Sequence, residues 1–324
     1  MLNNIRLEVM QTVEKAVSAI QEKYLTPIEK TWQPSDILPD SRSESFFEEV
    51  EEIQALAKDF DYDFLAVLIG DTITEEALPS YESWLMDLEG MNQREKNGWT
   101  NWIRAWTAEE NRHGDLLNKY LYLCGRVNMR EMEISTQYLL ADGFDIGTDR
   151  DPYRNFVYTS FQELATNISH RRVASIAKKK GDKRLAKMCG IIAAEEAKHA
   201  KAYMDFVRFI LEIDPSEMML AFADMMKKKI VMPAHFLRES GDNIGDLFSH
   251  FSHSAQRIRV YTSEDYVQIL SDLLEDWKIG TINGLTDQAN RARDYVMALP
   301  YRLTRIASRI QIPEKTYEYK WIAT

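Results

Sequence analysis

Apolar positions recur every three or four residues along much of this chain, a period that predicts helices. The first such stripe predicts a helix over residues 1–29 and consists of Val9, Val13, Val17 and Ile20, with charged residues between them. Residues 31–40 contain two prolines, so we expect an ordered loop there. An acidic helix should then begin at Ser43 or Ser45 and end at Lys58.

The centre of the chain has longer stretches of the same kind. An apolar run at 64–69 leads toward Pro79, and three further helices are predicted over 99–125, 156–170 and 185–207. Glycine and proline, which break helices, are few, at 13 and 9 of 324 residues. Since no linker or repeat divides the sequence, we predict an all-α fold and a single domain over residues 1–324.

Charge and composition exclude several classes of function. The net charge of −11 argues against general nucleic-acid binding. No apolar run approaches the ~20 residues of a membrane span, and the first residues resemble neither a secretion signal nor a transit peptide. Two cysteines, Cys124 and Cys189, fit a reducing compartment. We expect a soluble protein of a bacterial cytoplasm, or of the plastid stroma if the chain is a processed plant-type protein.

Two Glu-x-x-His pairs carry the candidate chemistry. Glu110 precedes His113 by three residues, and Glu196 precedes His199 by three residues. Residues three apart on a helix leave the same face about one turn apart, so each pair could bind one metal ion. One such pair arises often by chance, whereas two in separate helical segments favour a helix bundle that holds two metal ions.

A two-metal bundle of this kind also needs one glutamate from each of two further helices. Glu163 lies among apolar and small residues and is the natural candidate for one of them. For the other, the pattern leaves Glu75 and Glu76 open, because both lie beside apolar neighbours. Four carboxylates and two imidazoles form a hard, mostly oxygen ligand set that suits iron or manganese better than a thiolate metal.

Several long stretches resemble the soluble acyl-[acyl-carrier-protein] desaturases of the plant stearoyl type. The resemblance covers about 9–321 and is strongest over 70–79, 104–123, 158–163, 220–226 and 232–235, with Trp32-Gln-Pro as a further match. It implies a ferritin-like four-helix bundle inside a larger helical domain. It also implies that Glu75, rather than Glu76, belongs to the ligand set of two Fe(2+) ions: Glu75, Glu110, His113, Glu163, Glu196 and His199.

The family's reaction inserts a cis double bond into a saturated acyl chain of sixteen to eighteen carbons, typically at carbon nine, while the chain is bound to acyl carrier protein. O2 is a co-substrate, ferredoxin supplies the electrons, and the enzyme is usually a homodimer. Thr166 matches a family residue beside the oxygen-binding face, where a hydroxyl could relay protons. Trp32 matches a tryptophan implicated in electron transfer to the metal centre.

Other positions depart from the plant pattern. Glu195 stands where plant members usually have Asp, and Lys198 replaces an Arg; we expect neither to abolish the site. Three residues match the acyl pocket: Trp84, Asn155 and Phe156. Because Trp84 replaces Met and Asn155 replaces Gly, both add bulk, and we predict a shallower or reshaped pocket that favours a shorter chain or another double-bond position.

An acidic carrier protein requires a basic docking surface on this acidic enzyme. The candidates from the sequence are Arg171, Arg172, Lys178, Lys179, Lys180, Lys227, Lys228 and Lys229. Rival hypotheses are a ribonucleotide reductase small subunit, a ferritin-like ferroxidase, and a helical carrier-binding protein without chemistry. Against the first, Leu116 and Leu117 stand where a radical Tyr is expected, and Tyr120 faces elsewhere. Membrane desaturases have His-rich boxes, whereas this chain has six scattered His.

Overall fold

Helices make up most of the computed structural model, which describes residues 4–91, 96–143 and 145–323. Within these ranges the regular β structure is limited to one isolated bridge between Val127 and Ile322. The helices are α1 (Asn4–Tyr24), α2 (Phe46–Lys58), α3 (Tyr62–Glu76), α4 (Leu78–Met86), α5 (Gly98–Cys124), α6 (Met129–Asp142), α7 (Pro152–Lys179), α8 (Lys183–Ile213), α9 (Pro215–Lys228), α10 (Phe248–Arg257), α11 (Ser263–Asp276), α12 (Asp287–Met297) and α13 (Leu299–Ala307).

The predicted helices exist, with boundaries set by local chemistry. The first ends at Tyr24 rather than at residue 29, because Pro27 interrupts it, and residues 1–3 lie outside the described ranges. The long helix α5 is capped at its start by Asn97, whose side chain accepts a hydrogen bond from the Thr100 amide, and ends at Gly125 in the left-handed conformation. Residues 92–95, which precede this helix, lie outside the described ranges.

Four helices, α3, α5, α7 and α8, form the bundle at the centre of the fold. The longest, α7 and α8, pack against each other along their length and are joined by a tight turn in which Gly181 has a φ of +90°. Asp182 caps α8 by accepting from the Leu185 amide, and its second oxygen accepts from the hydroxyl of Tyr120 at 2.5 Å. That contact fixes the start of α8 against α5.

The remaining helices cover this bundle. Helix α1 packs on α5 and α8, α10 packs on α3, and α11 packs on α7. Near the C-terminus, the Trp321 indole donates to the Ser135 hydroxyl at 2.7 Å. The all-α, ferritin-like fold predicted from the sequence is therefore confirmed, while the single domain over 1–324 stays a prediction. Among the described residues, no helix is both long enough and apolar enough to cross a membrane.

Candidate metal centre

The six predicted ligands lie together in the middle of the bundle. They come from all four helices: Glu75 from α3, Glu110 and His113 from α5, Glu163 from α7, and Glu196 and His199 from α8. They fall into two overlapping sets, in each of which one donor atom per residue lies within 4.8 Å of the others. The first set is Glu75, Glu110, His113 and Glu196; the second is Glu110, Glu163, Glu196 and His199.

Glu110 and Glu196 belong to both sets, so they lie between the two positions. One oxygen of Glu110 lies 3.2 Å from Nδ1 of His113, and its other oxygen lies 2.7 Å from Nδ1 of His199. Glu196 Oε1 lies 3.0 Å from Nδ1 of His113. Glu110 therefore presents one oxygen to each histidine, as a bridging carboxylate does, whereas the second oxygen of Glu196 accepts from the Thr166 hydroxyl.

The structure separates Glu75 from Glu76, which the sequence pattern left open. Glu76 accepts from Asn118 Nδ2 at 2.6 Å and from the Thr136 hydroxyl at 3.3 Å, so its side chain is held away from the cluster. Glu75 faces the cluster because α3 approaches α5 closely at Gly114. A Cβ at Gly114 would lie 3.1 Å from the backbone of both glutamates, so a larger residue would push the two helices apart by a few tenths of an ångström.

Each histidine is oriented by a carboxylate from the opposite helix. His113 Nε2 lies 2.9 Å from Glu195 Oε2, and His199 Nε2 lies 3.0 Å from Glu109 Oε2. A proton on Nε2 satisfies each contact and leaves the Nδ1 lone pair directed into the cluster. The sequence analysis missed this role of Glu109. The signal was present, because both motifs read Glu-Glu-x-x-His and the first Glu of each orients the histidine of the other.

The residues present fit a pair of divalent cations. Four buried ligand atoms of the cluster have no hydrogen-bond partner: Nδ1 of His113 and His199, and Oε1 of Glu110 and Glu196. With the imidazole proton on Nε2, all four atoms carry lone pairs only, so their approaches of 2.7 and 3.0 Å are not hydrogen bonds. Such atoms are costly to bury unless something pairs with them. Two divalent cations would supply that pairing, and their charge would balance the four carboxylates of the two sets.

The pKa values of the cluster residues also favour a bound cation. Burial opposes charging of the His113 imidazole, but Glu110, Glu195 and Glu196 outweigh it and raise the pKa of His113. Burial, together with the charges of Glu196 and Glu110, raises the pKa of Glu163. The site therefore carries an excess of negative charge that a bound cation would relieve.

Thr166 lies at the edge of the cluster. Its hydroxyl donates to Glu196 Oε2 at 2.7 Å and is also close to the backbone carbonyl of Glu163, at 3.1 Å. The side chain also lines the cavity described below. Thr166 therefore connects a predicted ligand with the space beside it.

Trp32 lies against the His113 side of the cluster. Its indole N–H donates to Glu195 Oε1 at 2.9 Å, and its ring is nearly parallel to the His113 imidazole, 6.2 Å away between centroids. The Arg112 guanidinium lies 4.2 Å above the indole and donates to both oxygens of Glu195, each at 3.1 Å. A half-buried tryptophan is thus joined to a predicted ligand through one shared carboxylate.

An apolar cavity of about 370 Å³ reaches from the cluster toward the surface. Thr166, Asp71 and Thr74 line its inner end, and residues of α10, α11 and α13 form its outer walls. The three predicted pocket residues are not in its lining. Phe156 and Asn155 are fully buried, Phe156 against Trp99, and Trp84 packs edge-on against Tyr158 with centroids 5.9 Å apart. Their role stays a prediction.

The predicted docking residues fall into two kinds. Arg172 pairs with Asp265 at 2.5 Å, Lys180 pairs with Asp61 at 2.7 Å, and Lys228 pairs with Asp149 at 3.1 Å and with Asp224 at 3.4 Å, so those charges are partly neutralised. The other five side chains are exposed: Arg171, Lys178, Lys179, Lys227 and Lys229.

The sequence analysis missed a third basic group, which lies on α13 and just after it. Arg302, Arg305 and Arg309 are exposed on the segment that forms the outer wall of the cavity.

Comparison with known proteins agrees with this site. The model of the fatty acid desaturase family matches residues 5–323. The stearoyl-[acyl-carrier-protein] 9-desaturase 5 of Arabidopsis thaliana is 47% identical, over 98% of this chain and 81% of its own length. The stearoyl-[acyl-carrier-protein] 9-desaturase of Gossypium hirsutum is 49% identical, over 94% of this chain and 77% of its own. The palmitoyl-[acyl-carrier-protein] 4-desaturase 3 of Ophrys sphegodes is 47% identical, over 98% and 81%.

A solved structure supports the fold. The X-ray structure of DesA2 from Mycobacterium tuberculosis superposes with a TM-score of 0.53 at 18% identity, covering 85% of this chain and 97% of that one. The plant relatives share nearly the whole length of the chain, and the family model spans all four bundle helices with their six clustered side chains. This chain therefore belongs to the fatty acid desaturase family, among the acyl-[acyl-carrier-protein] desaturases.

Proposed function

We propose that this protein is a diiron, O2-dependent desaturase. It introduces a cis double bond into a saturated acyl chain of sixteen to eighteen carbons bound to acyl carrier protein, at carbon nine by analogy with the stearoyl relatives, using electrons from ferredoxin. The observation that carries the proposal is the pair of overlapping ligand sets that share Glu110 and Glu196. The apolar cavity that ends at Thr166 supports it, because a saturated chain has only apolar surface to offer.

In this proposal, two iron ions would be held by the six clustered side chains and would supply the reaction of O2 with two electrons. The protein's part is positioning. Glu109 and Glu195 hold the two imidazoles with Nδ1 directed inward. The cavity walls exclude water from the acyl chain and place two adjacent carbons beside the cluster. Thr166, bonded to Glu196, is placed to hold or pass a proton at its hydroxyl.

Electron entry is proposed to follow Trp32, Glu195 and His113. The indole and the imidazole both hydrogen-bond the same carboxylate, and the two rings are nearly parallel. The loop that carries Trp32 lies on the surface side of this contact, since Trp32 is only half-buried and the neighbouring Gln33 is exposed. A protein electron donor would therefore need to contact only this loop.

Docking of the acidic carrier protein is proposed at the outer wall of the cavity. Arg302, Arg305 and Arg309 lie there without an acidic residue among positions 299–310. The exposed members of the sequence-derived groups, such as Arg171 and Lys227, can extend the same interaction. Exposed charges are screened over about 10 Å at moderate salt, so carrier binding should weaken as ionic strength rises.

The assembly and the compartment also belong to the proposal. We propose a homodimer, which the exposed apolar side chains Phe47 and Tyr122 support by offering surface for a second copy. The relatives are described as chloroplastic. For this chain we propose a bacterial cytoplasm, with a plastid stroma as the alternative.

One assay tests the proposed function. Protein loaded with ferrous iron receives ferredoxin, ferredoxin reductase, NADPH, O2 and acyl carrier proteins bearing sixteen- or eighteen-carbon chains, and the products are analysed by mass spectrometry. A monounsaturated chain is the expected product. Two bound irons per chain with O2 uptake but no unsaturated product would instead favour a ferroxidase. Failure to bind iron would contradict the ligand assignment itself.

The same assay tests the pocket hypothesis. Because Trp84 and Asn155 add bulk relative to the plant pattern, we expect a shorter preferred chain or a shifted double bond. A clear preference for eighteen carbons with the double bond at carbon nine would contradict the effect of these two residues without affecting the reaction class.

A further inference from the structure

A row of oxidisable rings leads away from the His199 side of the cluster. Three buried indoles on α5, those of Trp99, Trp102 and Trp106, are three and four residues apart and therefore share one face of the helix. Trp106 begins the row. Its Nε1 donates to Glu163 Oε1 at 3.2 Å, and its ring stands edge-on to the His199 imidazole with centroids 6.4 Å apart.

The row continues through Tyr203 to Trp102, and one phenyl ring, that of Phe206, separates Trp102 from Trp99. The Tyr203 ring lies 6.3 Å from Trp106 and 5.7 Å from Trp102, and the Trp102 indole donates to the Tyr203 hydroxyl at 3.3 Å. Phe206 packs between Trp102 and Trp99, at 5.3 Å and 5.1 Å. Seven residues separate Trp106 from Trp99, so the row extends about 10 Å along the helix, at ~1.5 Å per residue.

Packing explains the burial of these rings but not their chemical type. A core of phenylalanine and leucine side chains could pack here without adding buried N–H and O–H groups that need partners. Indole and phenol rings are among the side chains that lose an electron most easily. Here they begin in hydrogen-bond contact with a predicted ligand, Glu163, and end in the first turn of α5, beside the partly exposed Asn97 and Gly98.

We propose that Trp106, Tyr203, Trp102 and Trp99 form a protective oxidation path. The path removes oxidising equivalents from the metal centre when O2 reacts there without an acyl chain in the cavity. This inference rests on the proposed function, because it needs the O2-derived oxidant of that reaction. It goes further by assigning a second, self-protecting activity to residues outside the ligand set.

The step balances in electrons and atoms. Desaturation takes two electrons and two protons from the acyl chain. Without that chain, two electrons leave the row one at a time in place of those from the acyl chain. Together with two protons, they reduce the O2-derived oxidant. An indole of the row is oxidised: it gains one hydroxyl oxygen from water as a C–H bond is replaced by C–OH, and it releases the two protons. The product is a hydroxytryptophan, heavier by one oxygen atom.

The experiment compares wild type with Trp102→Phe, which interrupts the row. Each protein, loaded with iron and reduced, is cycled with ferredoxin and O2 without acyl substrate, and oxidised residues are mapped by peptide mass spectrometry. In wild type we expect added oxygen at Trp99 and Trp102. In the variant we expect oxidation at Trp99 to fall to the level of an O2-free sample. Oxidation should then concentrate at Trp106 and on the peptides of the ligands, with inactivation several-fold faster.

Trp277→Phe is the matched control, because Trp277 is equally buried but packs against Phe222, outside the row. It should leave the wild-type pattern unchanged. Iron content and helical content of each variant are measured first, and Tyr203→Phe provides a second interruption if Trp102→Phe does not fold. Oxidation at Trp99 that survives both interruptions, or a wild-type pattern confined to surface residues, would overturn the path.

The two proposals fail in different ways. If wild type desaturates acyl chains but the variants show no shift in oxidised residues, the oxidation path is wrong and the desaturase stands. If wild type neither consumes O2 nor yields an unsaturated product, the proposed function is wrong, and the oxidation path falls with it.

Discussion

The two halves of the metal centre hold their histidines in the same way but differ in what lies behind them. Behind His113, the orienting carboxylate Glu195 is bonded to Arg112 and Trp32, next to a surface loop. Behind His199, the orienting carboxylate Glu109 has, apart from that histidine, one further partner among the described contacts, the backbone amide of Thr26 at 2.6 Å. One half is thus compensated by a cation and connected to the surface. The other half faces the aromatic row, through which oxidising equivalents are proposed to leave the centre.

The largest effect on iron binding is expected from replacing Glu110, a carboxylate that belongs to both ligand sets. Glu110→Gln takes a carboxylate from both ligand sets, so we expect iron content to fall from two ions per chain toward none and desaturation to be lost. The affinity for iron should fall by more than about a hundredfold, beyond the usual cost of losing an outer partner. Metal analysis of purified protein measures this. Retention of both ions would show that Glu110 does not bridge.

Glu75 and Glu76 are adjacent in the sequence, so substituting each in turn tests which of them belongs to the His113 ligand set. Glu75→Gln removes a ligand from the His113 set alone and should leave about one ion per chain. Glu76→Gln changes a side chain held by Asn118 and Thr136 and should leave both ions in place. The same metal analysis applies to both variants. If Glu76→Gln lost iron instead, the assignment of these two glutamates would have to be reversed.

The next effect concerns the orienting carboxylates. Glu195→Gln leaves the buried Arg112 guanidinium without its anion, which should lower the free energy of unfolding by about 3 kcal/mol. Among the described contacts no arginine is bonded to Glu109, so Glu109→Gln weakens only the hydrogen bonds from the Thr26 amide and the His199 ring, and a smaller loss of about 2 kcal/mol is expected. Urea unfolding of the metal-free variants measures both. Equal losses would contradict the asymmetry.

Trp32→Phe tests the electron route of the His113 half. The variant keeps the ring stacking but loses the N–H that donates to Glu195, so turnover with ferredoxin should fall about tenfold, as for other outer partners of a metal ligand. Iron binding should change little. The contrasting variant, Trp106→Phe on the other half, should leave the rate of the first reduction unchanged. Stopped-flow measurement of that reduction distinguishes the two variants. An equal slowing in both would contradict the assignment of electron entry to Trp32.

A last effect, on pH dependence, lies outside the centre at Glu239. Burial without a cation raises the pKa of Glu239 to about 6, although the Lys320 amide and the Tyr317 hydroxyl donate to it. Between about pH 4.5 and pH 6 the folded protein keeps this proton while the unfolded chain releases it. The free energy of unfolding should therefore fall by about 2 kcal/mol as pH rises through that window. Glu239→Gln should remove this slope, whereas the exposed Glu318→Gln should leave it in place.

The sequence could predict the parts of this molecule that depend on spacing within one helix. The two Glu-x-x-His pairs needed only helical periodicity, and Glu163 needed only its apolar surroundings. The choice between Glu75 and Glu76 depends on Asn118 and Thr136, which come from other helices, so the resemblance rather than the pattern decided it. Glu109 was missed because its partner His199 lies 90 positions away on another helix.

The outer wall of the cavity was harder to predict. The helices after Ile213 are short, and their position over the bundle depends on tertiary contacts rather than on their own periodicity. The arginines of α13 carry no motif, and their place beside the cavity follows only from the packing of that helix on α11 and α12. The role of Trp84 and Asn155 in the acyl pocket could not be predicted from the pattern for the same reason, because it depends on which side chains of other helices surround them.

In the proposed diiron centre, the sharing of Glu110 and Glu196 would also determine how the two ions bind. The first ion would order both shared carboxylates and relieve the repulsion among them, so the second ion would bind to a site that is already formed. Loading should therefore be cooperative: a sample given one equivalent of iron would contain mainly empty and full chains rather than half-filled ones. For a cell with little free iron, this means that scarcity lowers the number of working enzymes instead of leaving every enzyme incomplete.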